Sequence, residues 1–203
     1  MSRLTTTTGS FVVSWSRFRA NWKTRATDYL ELTKPRIVAL ELVTVIVAAH
    51  LAAPWGINSW TLLHTVLGAA LVAASAGAWN QWWERSSDAR MIRTADRPLP
   101  TGRLGTIEVL AFGTVTLIIG TALLIWYVNP ATASVALATW VIYVLMYTPL
   151  KTRSPLNTAV GALSGALPIL MGWTATGEPI DMRALALAAV MFLWQFPHFM
   201  AIA

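Results

Sequence analysis

Asn80, Glu84 and Asp88 recur every fourth residue in the stretch Asn80-Gln81-Trp82-Trp83-Glu84-Arg85-Ser86-Ser87-Asp88. On a helix, residues four apart drift by only about 40°, so the three share one face over about 12 Å of rise. Three oxygen-bearing side chains in such a row suit a hard cation. Mg²⁺ in particular prefers one or two carboxylates, with waters and substrate phosphates completing its shell. The row therefore points to a metal-bridged phosphate or diphosphate, and the alternative is a solvated helix end with its charges in water. Arg85, Arg90, Arg93, Arg97 and Arg103 surround the acids, and Arg97-Pro98-Leu99-Pro100-Thr101-Gly102-Arg103 reads as a stiff turn. The guanidinium fork matches phosphate geometry, although membrane topology alone accounts for some of this Arg excess.

The elements that position these residues follow from composition. Of 203 residues, 56% are hydrophobic and 12% charged, and mean hydropathy is +0.56. A soluble domain carries roughly 25% charged residues, and a disordered chain is polar and charge-rich; both classes are excluded. The absence of Cys removes disulfides, thiolate metal sites, iron–sulfur clusters and thiol nucleophiles. Six apolar stretches near the roughly 20 residues needed to span a bilayer are predicted as helices: Ile37 to Ala53, Trp60 to Trp83, Ile107 to Val128, Ala131 to Thr148, Thr158 to Trp173 and Ala184 to Ala203. The fold class is an all-α polytopic transmembrane bundle. It comprises a basic arm over residues 1–36 and a membrane domain over residues 37–203.

Fourteen of the fifteen Lys and Arg fall in the arm, the loop after the second span and the loop after the fourth; only Arg183 lies opposite. The positive-inside rule puts those segments, and the N terminus, in the cytoplasm of a bacterial inner membrane, or in the matrix of a mitochondrion. The first 27 residues carry five basic and no acidic residues, which reads either as a transit peptide or as a bacterial cytoplasmic arm.

Asn80-x3-Glu84-x3-Asp88, followed by Met91-Ile92-Arg93-Thr94-Ala95-Asp96-Arg97-Pro98-Leu99-Pro100-Thr101-Gly102, resembles the first aspartate-rich motif of the UbiA-type intramembrane prenyltransferases, and more closely their haem O synthase branch. Leu32-Thr33-Lys34-Pro35-Arg36, Tyr147-Thr148-Pro149-Leu150-Lys151-Thr152-Arg153-Ser154-Pro155-Leu156-Asn157 with Gly161 to Trp173, and Trp194-Gln195-Phe196-Pro197-His198-Phe199 are similar to three further motifs, in order. The resemblance implies Mg²⁺-dependent transfer of a farnesyl group from farnesyl diphosphate to a vinyl group of haem b, with haem as substrate. Asn80, Glu84 and Asp88 would hold metal and diphosphate; Glu84 stands where Asp is commoner. Arg97 and Lys151 would contact diphosphate, with Arg103, Arg153 and Asn157 as further candidates. Haem A synthase or terminal oxidase assembly would be downstream partners. No protein nucleophile is needed, since neutralising the leaving group ionises an allylic diphosphate.

His198 follows Pro197 inside a spanning segment, where the freed backbone carbonyl commonly marks a bend at a cavity. It is a candidate catalytic residue, as ligand to haem iron, partner of a propionate or proton carrier; the alternative is a packed His. Glu41 and His50 are nine residues apart and point opposite ways, so they do not share one helix face; Glu41 is a candidate to line the cavity. His64 and most of the Trp residues, with Trp55, Trp60, Trp82, Trp83 and Trp173 near predicted span boundaries, suit the interface, as in an aromatic belt. Family members carry a second acidic motif after the sixth helix, and nothing before Ala203 supplies one. The resemblance therefore implies that these residues are part of a larger bundle, inactive alone with half a metal site. Two other readings compete: prenylation of an aromatic acid for quinone synthesis, and a small transporter using Glu41, Asn80 and His198.

Overall fold

The computed structural model describes residues 24–151 and 153–202. Residues 24–32 form a short helix, α1. It is followed by α2 (Pro35–Ala52), α3 (Ser59–Asp88), α4 (Thr106–Tyr127), α5 (Pro130–Leu150), α6 (Asn157–Ala175) and α7 (Met182–Ile202). There is no strand among the described residues. The transit-peptide reading rests on residues 1–27, of which 1–23 lie outside the described residues.

Local chemistry sets the helix ends. Pro35 opens α2 after Lys34, whose φ of 51° is left-handed and turns the chain out of α1. The Asn58 side chain caps α3 by accepting from the N–H groups of Trp60 (2.8 Å) and Thr61 (3.4 Å). Asn129 caps α5 by accepting from Thr132 N–H at 2.8 Å, with Pro130 at the first helical position. These are ordinary capping solutions for orphan donors.

α3 runs five residues past its predicted end at Trp83. No Gly or Pro interrupts the chain between Gly77 and Pro98, so the helix leaves the membrane intact. Its 30 residues span roughly 45 Å, against about 30 Å of hydrocarbon. Glu84 and Asp88 can therefore stand beyond the hydrocarbon while the helix below still crosses it.

Five helices, not six, are long and apolar enough to cross a membrane among the described residues: α2 to α6. The sixth predicted span corresponds to α7, which carries Arg183 at its start and Gln195, Pro197 and His198 in its final turns.

Helices here cannot gain from leaving water, so close packing of small residues matters more. α3 lies along α4, α2 along α6, and α6 along α7. At Gly172, an added Cβ would sit 2.1 Å from the Val45 backbone oxygen, so α2 and α6 touch backbone to backbone. Val45, Val72, Leu124, Ala136, Trp140, Val144 and Met171 fill the centre. Large apolar side chains such as Leu40 and Ile118 point outward, suited to lipid. Trp55 and Trp60 are exposed as a belt requires. Trp173 is not: it is buried, donates Nε1–H to Pro179 O at 3.0 Å and lies under the Arg183 guanidinium. Packing between α2 and α7 takes it into the core. His64 stacks on Tyr127 at 4.7 Å.

α5 is not uniform. Ile142–Tyr147 forms a widened π turn, with Thr148 N–H donating to Tyr143 O, five residues back. Pro149 has no N–H for the carbonyl four residues earlier, and its ring crowds that carbonyl; a wider coil relieves both. Such bulges occur frequently at functional sites.

Candidate active site

One end of the bundle gathers the starts and ends of four segments. Asn80 is buried on α3; its Oδ1 accepts from Lys34 Nζ and its Nδ2 donates to Thr148 Oγ1 at 3.1 Å. Thr148 Oγ1–H in turn donates to Tyr143 O at 2.8 Å. One turn on, Glu84 accepts from Lys151 Nζ at 3.1 Å. After a further turn, buried Asp88 pairs through Oδ2 with Arg97 at 2.6 Å. The structure thus brings Asn80, Glu84, Asp88, Arg97 and Lys151 to one face, and adds Lys34.

Burial holds the Lys34 ammonium down at a pKa of about 8; Glu84 pulls it up, Arg97 and Lys151 push it down, and Asp88 pulls it up. The cluster sets three cations, Lys34, Arg97 and Lys151, against the two carboxylates Glu84 and Asp88. The sequence offers no role for Lys34 beyond its place in Leu32-Thr33-Lys34-Pro35-Arg36. Its left-handed φ, a strained conformation outside Gly, is a signal that only coordinates reveal.

The donor set fits Mg²⁺. Two carboxylates and an amide oxygen leave room for waters and phosphate oxygens, as that ion requires. Asp88 Oδ1 is moreover buried without a hydrogen-bond partner, and such an orphan is costly unless something else meets it. No group of three His, Cys, Asp or Glu that could cage a metal occurs among the described residues.

Three other candidates sit differently. Arg103 pairs with Asp28 (2.7 Å) and Glu31 (3.3 Å) of α1, so its guanidinium is committed to docking that helix. Asn157 donates to Lys151 O at 3.2 Å, bracing the loop that carries Lys151. Arg153 is exposed on the same loop.

Inward from Lys34 opens a cavity of about 640 Å³, bounded by α2, α3, α5, α6 and α7. Its lining is mostly apolar, with Val38, Val72, Met171 and Met191 among the walls and Tyr143 and Tyr147 from the π turn. Glu41, Gln195 and His198 also line it, whereas His50 does not. Gln195 packs over Gly165, where an added Cβ would sit 2.6 Å from its amide nitrogen. The His198 ring stacks on Trp194 at 4.7 Å. A charged mouth above an apolar chamber can hold an amphiphile with an anionic head and a hydrocarbon tail.

A helical membrane bundle with this acid-and-base mouth belongs to a class of multi-pass integral membrane proteins, and comparison with known proteins places it further. Residues 42–203 match the UbiA prenyltransferase family, and the chain belongs to that family. It is 45% identical over 176 residues to the Protoheme IX farnesyltransferase of Rhodopirellula baltica, covering 86% of this chain and 61% of that one. It is 46% identical over 178 residues to the protein of the same name from an Anaeromyxobacter species, covering 87% and 60%. The chain thus spans about three fifths of the length of these relatives. Among solved structures, a digeranylgeranylglyceryl phosphate synthase matches at TM-score 0.76 and 20% identity, over 85% of this chain and 60% of that one. A UbiA homologue from Archaeoglobus fulgidus bound to GPP and Mg²⁺ matches at 0.73 and 17%, over 84% and 62%. Both agree in fold.

Proposed function

We propose that this protein is a haem O synthase, transferring the farnesyl group of farnesyl diphosphate to a vinyl group of haem b in a Mg²⁺-dependent reaction. The observation that carries the proposal is the juxtaposition of the Asn80–Glu84–Asp88 face and its Lys34, Arg97 and Lys151 cations with the apolar cavity below. The names of its relatives at 45% and 46% identity support the farnesyl donor and haem acceptor.

In this reading Asn80, Glu84 and Asp88 hold the ion and diphosphate. Bound there, Mg²⁺ would act as a Lewis acid that neutralises the leaving group. Lys34, Arg97 and Lys151 exchange their carboxylate and amide partners for diphosphate oxygens, placing positive charge where negative charge develops. The isoprenoid chain runs into the cavity, and the apolar walls keep bulk water from the allylic centre. His198 and Gln195 face the acceptor from α7, with His198 as the candidate partner of haem. The site end faces the cytoplasm of a bacterial inner membrane, where both substrates and Mg²⁺ are available. The product would pass to haem A synthase or to terminal oxidase assembly.

The test is mass analysis of haem extracted from a host lacking haem O synthase that expresses this protein from its own gene. Farnesylated, hydrated haem is the expected product, and the Glu84→Ala and Asp88→Ala variants should insert normally but make none. A prenylated aromatic acid in place of farnesylated haem would transfer the assignment to quinone synthesis. Unchanged transfer in both variants would remove the metal face.

A further inference from the structure

Glu41 is the one carboxylate lining the cavity among the described residues. It lies in α2, seven residues and about 10 Å of helical rise inward from Lys34 at the mouth. Its carboxyl has no hydrogen-bond or ion-pair partner among the described residues, whereas Glu84 and Asp88 at the mouth each form an ion pair. Ionisable groups inside a membrane are expensive and by default functional. Thr44, one turn further along α2, and Tyr143 of the π turn share the same wall. The isoprenoid chain needs no acid along its path, and the metal face stands at the other end of this stretch of helix. The diphosphate reading therefore leaves Glu41 unused.

Resting on that reading, we propose that Glu41 is the proton acceptor for the water that completes the transfer. The C1–O bond of the isoprenoid diphosphate breaks, and its electron pair leaves with diphosphate. C1 bonds to the terminal carbon of the acceptor's vinyl group. The oxygen of one water bonds to the inner vinyl carbon, and one proton of that water passes to the Glu41 carboxylate. The proton returns to bulk solvent as product leaves. A chamber that excludes bulk water through the first step has no solvent base for the second, and a carboxylate fixed on the helix that also carries Lys34 supplies one at a set depth.

The experiment compares wild type, Glu41→Gln and Glu41→Asp, each expressed from the native gene in the haem O-deficient host and purified into lipid nanodiscs. Mg²⁺-dependent farnesyl diphosphate affinity, rate and product mass are read together. Glu41→Gln keeps the shape but cannot accept the proton. It is expected to hold diphosphate affinity within about twofold and to lose about 100-fold or more in rate, the usual scale for a general base. Glu41→Asp should recover part of the rate. Hydrated product at the wild-type rate from Glu41→Gln overturns the proposal. So does a loss of rate that tracks a loss of diphosphate affinity, with Glu41→Asp no better than Glu41→Gln. A wild-type protein that makes no farnesylated haem overturns the haem O synthase reading itself.

Discussion

Gly77 faces the turn between α1 and α2, and a single methyl group there should loosen a site whose residues it never touches. A Cβ at Gly77 would stand 2.6 Å from the Leu32 backbone oxygen, and ordinary contact begins at 3.4 Å, so 0.8 Å is missing. The obstacle is backbone, so no side chain can swing aside, and the turn itself must move. One helical turn along α3, Gln81 Nε2 donates to Glu31 O at 3.1 Å and Leu32 O at 3.5 Å. A shift of about 0.8 Å carries both toward or past the hydrogen-bond limit. It also draws Lys34 away from Asn80, its partner in the structure. Losing one charged contact to diphosphate costs about 1.5–3 kcal/mol, which is roughly 10- to 100-fold in affinity. Gly77→Ala should therefore weaken Mg²⁺-dependent farnesyl diphosphate binding by about that factor, measured by titration calorimetry in nanodiscs. In a Lys34→Met background the same change should add less than about twofold, because the contact is already gone. Wild-type affinity in Gly77→Ala, or a full penalty persisting in the double variant, would refute the reasoning.

Glu84→Gln with Asp88→Asn should abolish Mg²⁺-dependent diphosphate binding while membrane insertion changes little; calorimetry with and without EDTA reads it. Thr148→Val leaves Asn80 Nδ2 without its buried acceptor, at about 1–3 kcal/mol, and frees the amide to flip. Mg²⁺ affinity in the presence of farnesyl diphosphate should fall by about 10-fold or more, with Thr148→Ser within about threefold of wild type. Arg103→Ala leaves buried Asp28 without its ion pair, so α1 should become protease-sensitive at lower temperature than in wild type. Equal protection in both would show that α1 is held by its apolar contacts alone.

The stretch from Asn80 to Asp88 was legible because it is local: spacing by four on a helix places side chains on one face wherever that helix goes. The five apolar spans and the clustering of basic residues at one end were legible for a similar reason, since length and charge respond to the bilayer and not to a particular neighbour. Which cation meets which acid was not. Lys34 reaches Asn80 across 46 positions, and Thr148 reaches it across 68. The charge excess that marks a side of the membrane is silent on partners, so Arg97 and Arg103 read alike in sequence although one pairs with Asp88 and the other with α1. Trp173 looked interfacial because depth was judged along the chain, whereas contacts across helices bury it. By itself, then, the sequence determined the class of fold, the end of the bundle that carries charge and the chemistry of one helix face. Only tertiary structure decided the pairing of that face with Lys34 and Thr148, the docking of α1 and the isolation of Glu41. Those depend on contacts between residues that no local periodicity relates.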